Sequence, residues 1–191
     1  MDKVIVIDTE TVTGTYGLLS VGVVVLELDG ERLRSLDTYF GFSDEFEHGF
    51  YFAQQYAYAK RNGVRRKSRY EIEEELADLV HRYDVDTAFA YNARFDKTVA
   101  RAYLPTLQLN WLDLMKPARK VLAGTQHYPA YKRFHPYVEL TKGGLLKRCY
   151  SVDCVGRYLG LPHETHVAIE DALMETEIAA RLGLFGCAAV C

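Results

Sequence analysis

Val4, Ile5, Val6 and Ile7 form an unbroken β-branched run, the pattern of a strand buried on both faces. The run ends on two acids, Asp8 and Glu10. Leu18 to Leu28 is a second β-rich stretch that meets Asp29-Gly30, a two-residue hairpin turn, and Arg32 to Phe40 returns as a third strand. Residues 41 to 59 are rich in aromatic side chains without a clear period and receive no assignment. Ser68-Arg69-Tyr70-Glu71 is a capping box, and behind it Ile72, Leu76, Leu79, Val80 and Tyr83 recur at helical spacing. Thr87 to Tyr91 reads as a short apolar strand. From Asn92 a helix follows that carries Asp96, Val99, Ala100 and Tyr103 and closes at Pro105. Leu109 to Leu112 is a fifth strand, with a short helix through Val121 and Leu122 ended by Gly124. Ser151 caps a helix with Val152, Val155 and Leu159 on one face, and a last helix runs from about Glu170 to Leu182 with Gly183 at its end. A three-strand antiparallel meander followed by strand–helix alternation predicts an α/β fold: a mixed five-stranded sheet flanked by helices. With no repeat and no low-complexity tract, 1–191 reads as a single domain.

Composition narrows the function classes. The net charge of −3 excludes a generally basic nucleic-acid coat but not a local basic groove. No run reaches membrane-spanning length, and Met1-Asp2-Lys3 followed by a strand is no signal peptide. Cys149, Cys154, Cys187 and Cys191 show no CxxC spacing, so reduced thiols, a cytoplasmic location and no zinc site are expected. Two segments are basic. Lys60 to Arg69 holds six Lys/Arg among ten residues and reads as a solvated loop before a helix start. Between Lys116 and Arg148 there are eight Lys/Arg against one acid, Glu139, with Tyr128, Tyr131, Phe134 and Tyr137 interleaved. Cations for phosphates and flat rings for unstacked bases are what single-stranded nucleic acid requires, which marks Lys132 and Arg133 as candidate substrate contacts. The competing account is a loop whose rings pack on the body.

The acids carry the chemistry. Side chains two apart on a strand share a face, so Asp8 and Glu10 stand side by side at the mouth of an apolar core. Their repulsion and desolvation need a compensating group, either a divalent cation or a helix end with an arginine. Two further fragments bear on that choice: Asn92-Ala93-Arg94-Phe95-Asp96, and His166-Val167-Ala168-Ile169-Glu170-Asp171. Taken singly, Asp96 and Asp171 are helix-start acids answering the macrodipole, and His166 is a surface histidine. His163-Glu164-Thr165-His166 is one residue short of the zinc motif HExxH, so its two histidines do not share a helix face.

Together the three fragments resemble the DnaQ-like (DEDDh) 3′–5′ exonuclease superfamily, over Val4 to Glu10, Phe89 to Asp96 and Ser151 to Leu182. His166, Ala168 and Asp171 at the family's spacing are the most specific part. The resemblance implies a ribonuclease H-like fold with the first strand central. It also implies Asp8, Glu10, Asp96 and Asp171 as ligands of two divalent metal ions, Mg2+ or Mn2+, and His166 as the base that activates water. Two such ions stabilise both attacking and leaving oxygens of a phosphodiester, and oxygen ligands suit them. Thr11, Asn92 and Phe95 match positions near the terminal nucleotide. Two departures, Tyr91 where the family commonly has histidine and a loop one residue longer after Glu10, touch the nucleotide pocket rather than the metal ligands. The implied activity is hydrolysis at the 3′ end of single-stranded or frayed nucleic acid, DNA favoured, releasing nucleoside 5′-monophosphates. The alternatives are an exoribonuclease trimming RNA 3′ ends, a catalytically silent nucleic-acid-binding domain, and a polymerase proofreading partner. The last is disfavoured by the little chain that follows the last helix. The apolar stretch 184–191 leaves a homodimer contact open.

Overall fold

The computed structural model describes residues 2–12, 17–30, 32–49, 51–123 and 150–187. Five strands, β1 (Asp2–Thr11), β2 (Leu18–Asp29), β3 (Arg32–Phe42), β4 (Thr87–Ala90) and β5 (Asn110–Asp113), form one sheet in the order β3-β2-β1-β4-β5. The meander β1–β2–β3 is antiparallel, while β4 and β5 add in parallel on the other side of β1. The sheet is therefore mixed and flanked by helices, a ribonuclease H-like arrangement with the first strand at its centre. Gly30, in the left-handed region at φ 60°, closes the β2–β3 hairpin, where an L side chain is disfavoured.

The β-branched run of β1 is divided between two cores by the period of two. Val4 and Val6 face one core, and Ile5 and Ile7 the other, each at most 5% exposed. Burying each such side chain contributes about 1.5–3 kcal/mol. The Ile5/Ile7 side is covered by α2 (Arg69–Tyr83) and α3 (Arg94–Tyr103) through Ile72, Leu76, Leu79 and Val99. The Val4/Val6 side is covered by α4 (Met115–Ala123), α5 (Val152–Tyr158) and α6 (Ala168–Arg181) through Ala118, Leu122, Val155, Ala172 and Ile178. The capping box before α2 is formed: the Glu71 N–H donates to Ser68 Oγ, and the Ser68 N–H donates to Glu71 Oε2 at 2.9 Å.

Four expectations change. The unassigned stretch 41–59 contains the end of β3 and most of a ten-residue helix, α1 (Phe52–Arg61), whose last two residues fall in the basic segment. Only Gln55 and Ala59 of that helix are buried, so it lacks the wide apolar stripe that marks a helix in sequence. The last long helix begins at Ala168, before Glu170, and a short helix α7 (Leu184–Cys187) follows it. Leu184 is buried, and Phe185 packs edge-on against Phe89 of the same chain, with centroids 5.2 Å apart. The basic segment Lys60–Arg69 is not simply solvated. Arg66 donates to the backbone oxygens of Ser43 and Phe46 beneath its cation–π contacts with Phe42 and Phe52, and Lys67 pairs with Glu75. Finally, Cys154 is disulfide-bonded rather than a free thiol. No helix among the described residues is long and apolar enough to cross a membrane.

Candidate active site

The site lies at the carboxyl end of β1. Asp8 and Glu10 continue the parity of Val4 and Val6, so they face the side on which α6 packs. The residue paired with Asp8 across the β1–β2 ladder is Gly22. A Cβ there would lie 2.2 Å from the Ala168 carbonyl carbon and 2.3 Å from the Ile169 nitrogen. Glycine at this position thus lets the first turn of α6 rest directly on the sheet, and that turn carries Asp171.

Asp96 arrives from the opposite face. It stands in the first turn of α3, which packs under Ile7, and is 2% exposed. Its Oδ1 accepts from the Thr9 backbone N–H at 2.9 Å and from Thr9 Oγ1 at 2.8 Å. Thr9, pointing away from Asp8 and Glu10, ties α3 to the same strand end. Asn92, at φ 69°, makes the sharp turn from β4 into this helix, and its carbonyl accepts the Phe95 N–H.

His166 sits in the loop before α6, itself at φ 55°. Its Nδ1 is 3.6 Å from Glu10 Oε1 and 3.8 Å from Glu164 Oε1. Ligand-type atoms of Glu10, His166 and Asp171 all lie within 4.8 Å of one another. Asp171 is 2% exposed, and its Oδ1 accepts the Thr165 N–H at 3.1 Å, which folds the histidine loop back onto the helix start. The structure therefore brings Asp8, Glu10, Asp96, His166 and Asp171 to one place, from four separate elements. Thr11 lies at the end of β1 just past a bulge, and Asn92 and Phe95 are exposed at the rim. Lys132 and Arg133 lie outside the described residues.

A fifth acid joins them. Glu175, one helical turn beyond Asp171, is 2% exposed and accepts the Tyr91 backbone N–H at 3.1 Å. Sequence reading passed over it, although an acid four residues after Asp171 on an otherwise apolar helix face was a usable signal.

Like charge and burial act on the whole set. Burial, then the neighbouring carboxylates of Glu175, Asp96, Glu10 and Asp171, push Asp8 well above the ordinary carboxylate range. Burial raises Asp96 to about 7 despite the Thr9 hydrogen bonds, and raises Asp171 to about 7 as well. Burial and Asp96 likewise raise Glu175. The Glu10 carboxylate, followed by Glu164, raises His166. Among the described residues, no lysine or arginine forms an ion pair with Asp8, Glu10, Asp96 or Asp171; the one cationic partner is His166. Asp8 Oδ2 and Asp171 Oδ2 are buried without a hydrogen-bond partner among these residues. Buried carboxylate oxygens without a donor, in a site rich in acids and poor in cations, fit a hard divalent cation.

No family model matches the chain, and no curated protein matches it by sequence. Its fold, however, is found among solved structures. A 3′-exonuclease described as recognising the 3′ end of histone mRNA stem-loop superposes with a TM-score of 0.63 at 12% identity, over 98% of this chain and 84% of that one. The nuclease domain of 3′hExo, a DEDDh family member bound to rAMP, gives 0.61 at 13% identity over 97% and 94%. Exonuclease X in complex with 5′-overhanging duplex DNA gives 0.55 at 15% identity over 98% and 94%. Low identity with near-complete coverage is a statement about architecture: the chain has the DnaQ-like, ribonuclease H-type fold of the 3′-exonucleases.

Proposed function

We propose that residues 1–191 form one DEDDh domain, a metal-dependent 3′–5′ exonuclease acting on single-stranded or frayed 3′ ends. One observation carries this reading: four carboxylates and an imidazole from four elements meet at one strand end, with buried oxygens left for a cation. Asp8, Glu10, Asp96 and Asp171 hold two divalent ions, Mg2+ or Mn2+, with Glu175 adding negative charge behind them. When bound, such ions offset the charge of the phosphodiester and make water more acidic. The chain's own residues do the rest. His166 accepts the proton of the attacking water, and Glu10 beside Nδ1 favours the charged imidazolium that results. Thr9 fixes the Asp96 carboxylate, and Thr165 fixes that of Asp171. Thr11, Asn92 and Phe95 border the terminal nucleotide, and Lys132 and Arg133 contact the strand's phosphates.

DNA is the favoured substrate. RNA is the second reading, because two of the similar structures carry RNA or a ribonucleotide in their descriptions. Both differ in class from a silent nucleic-acid-binding domain, for which five converging acids have no physical use. A single gel separates the three. End-labelled DNA and RNA oligonucleotides, single-stranded and duplex, are incubated with Mg2+, Mn2+ or chelator. Stepwise shortening from the 3′ end with metal, and none with chelator, is expected. Asp8→Ala abolishes it, and His166→Ala lowers turnover roughly 10²- to 10⁴-fold while metal binding persists. Binding without shortening on either strand type would end the enzyme reading.

A further inference from the structure

We propose that Tyr51 and Gln55, at the start of α1, position the His166 imidazole for catalysis; this rests on the exonuclease reading. His166 stands on a loop, in a left-handed backbone conformation, with its side chain 35% exposed. Its own loop contributes one neighbour to the ring, Glu164, 3.8 Å from Nδ1. Two further groups come from the start of α1, which the sequence pattern does not assign. The Tyr51 ring stacks on the imidazole with centroids 4.0 Å apart and planes 23° from parallel. The Gln55 side-chain amide donates to the His166 carbonyl oxygen. With Glu10 and Glu164 flanking Nδ1, the ring is fixed on one face, along one edge and through its backbone.

The arrangement is costly in a way that simple packing would not select. Gln55 is fully buried, and its Oε1 has no partner among the described residues, so a polar side chain is desolvated to secure one loop carbonyl. Tyr51 lies close enough to Glu10, Glu164 and Asp171 to feel their charge, which places its ring at the site itself. A general base contributes only when it is held within reach of the proton it removes, and small misplacement lowers the rate steeply.

The test is a double-mutant cycle on a 5′-labelled single-stranded oligonucleotide with Mg2+. Tyr51→Ala is expected to lower kcat about 10-fold with KM unchanged, and Tyr51→Phe, which keeps the ring, to restore it. In a His166→Ala background, Tyr51→Ala should change nothing further, because the group it positions is gone. Independently of activity, the His166 ring protons, identified by their loss in His166→Ala, should be shifted upfield by the Tyr51 ring and return to ordinary positions in Tyr51→Ala. If Tyr51→Ala does not fold, Tyr51→Leu keeps the bulk without the ring current. An equal loss in both backgrounds, or His166 ring protons without an upfield shift in the unaltered protein, overturns the proposal. If the unaltered protein releases nothing from DNA or RNA, the exonuclease reading fails on its own, and the ring shift still decides whether Tyr51 covers His166.

Discussion

At the scale of the residue, the site is dominated by a conflict that no side chain resolves. Burial, together with the neighbouring carboxylates, pushes Asp96 and Asp171 up to about 7, far above the roughly 3.9 of a free aspartate. The consequence for stability has a definite sign. Below about pH 4 both groups are protonated in the folded and unfolded chain, and they contribute no difference. Between about pH 4 and 7 the unfolded chain releases protons that the folded chain keeps, so stability falls as pH rises through that window. Metal-free protein in chelator should therefore melt at progressively lower temperature from about pH 5 to about pH 7, and Asp8→Asn should raise the melting temperature and flatten the slope. Calorimetry across that range checks it; a melting temperature that does not fall with pH would show that these carboxylates are not under such stress.

Elements decide how closely those residues meet. The first turn of α6 lies on β2 because Gly22 has no side chain, and the strand register puts Gly22 directly opposite Asp8. Gly22→Ala places a carbon against Ala168 and Ile169 backbone, which cannot rotate away as a flexible side chain would. The helix must lift, taking Asp171 with it. A loss of about 1–3 kcal/mol in denaturant unfolding is expected. It should come with a fall in nuclease activity larger than the fraction unfolded explains. Unchanged activity would mean that the helix contact does not set the distance between Asp8 and Asp171. The boundaries of α2 were readable in advance because Ser68 and Glu71 satisfy each other's backbone donors locally. The helix α1 was not, because its two buried positions, Gln55 and Ala59, make no hydrophobic period and its value lies in contacts with a loop 111 residues away.

For the molecule as a whole, convergence exists only in the folded state. The unfolded chain separates Asp8 from Asp96 by 88 positions and from Asp171 by 163. A cation that binds the assembled acids therefore stabilises the fold by mass action, by about 2.7 kcal/mol at a free concentration one hundred times its dissociation constant. Thermal melts with increasing Mg2+ or Mn2+ should rise accordingly, and Asp8→Ala should abolish the dependence. A metal-independent melting temperature at neutral pH would contradict the ligand assignment.

The amino-acid sequence by itself determined the strands of the meander, the capped helices and the identity of four acids and a histidine as chemically notable. These are local matters: β-branched runs, turn glycines and caps act over a few residues, and spacing of acids is visible without a fold. Only tertiary structure decided that Glu175 joins the acids, that Thr9 holds Asp96, that Gly22 admits α6 to the sheet and that Tyr51 and Gln55 grip His166. Each of those depends on which faces meet across the sheet, and short-range pattern contains no information about a neighbour brought close by packing.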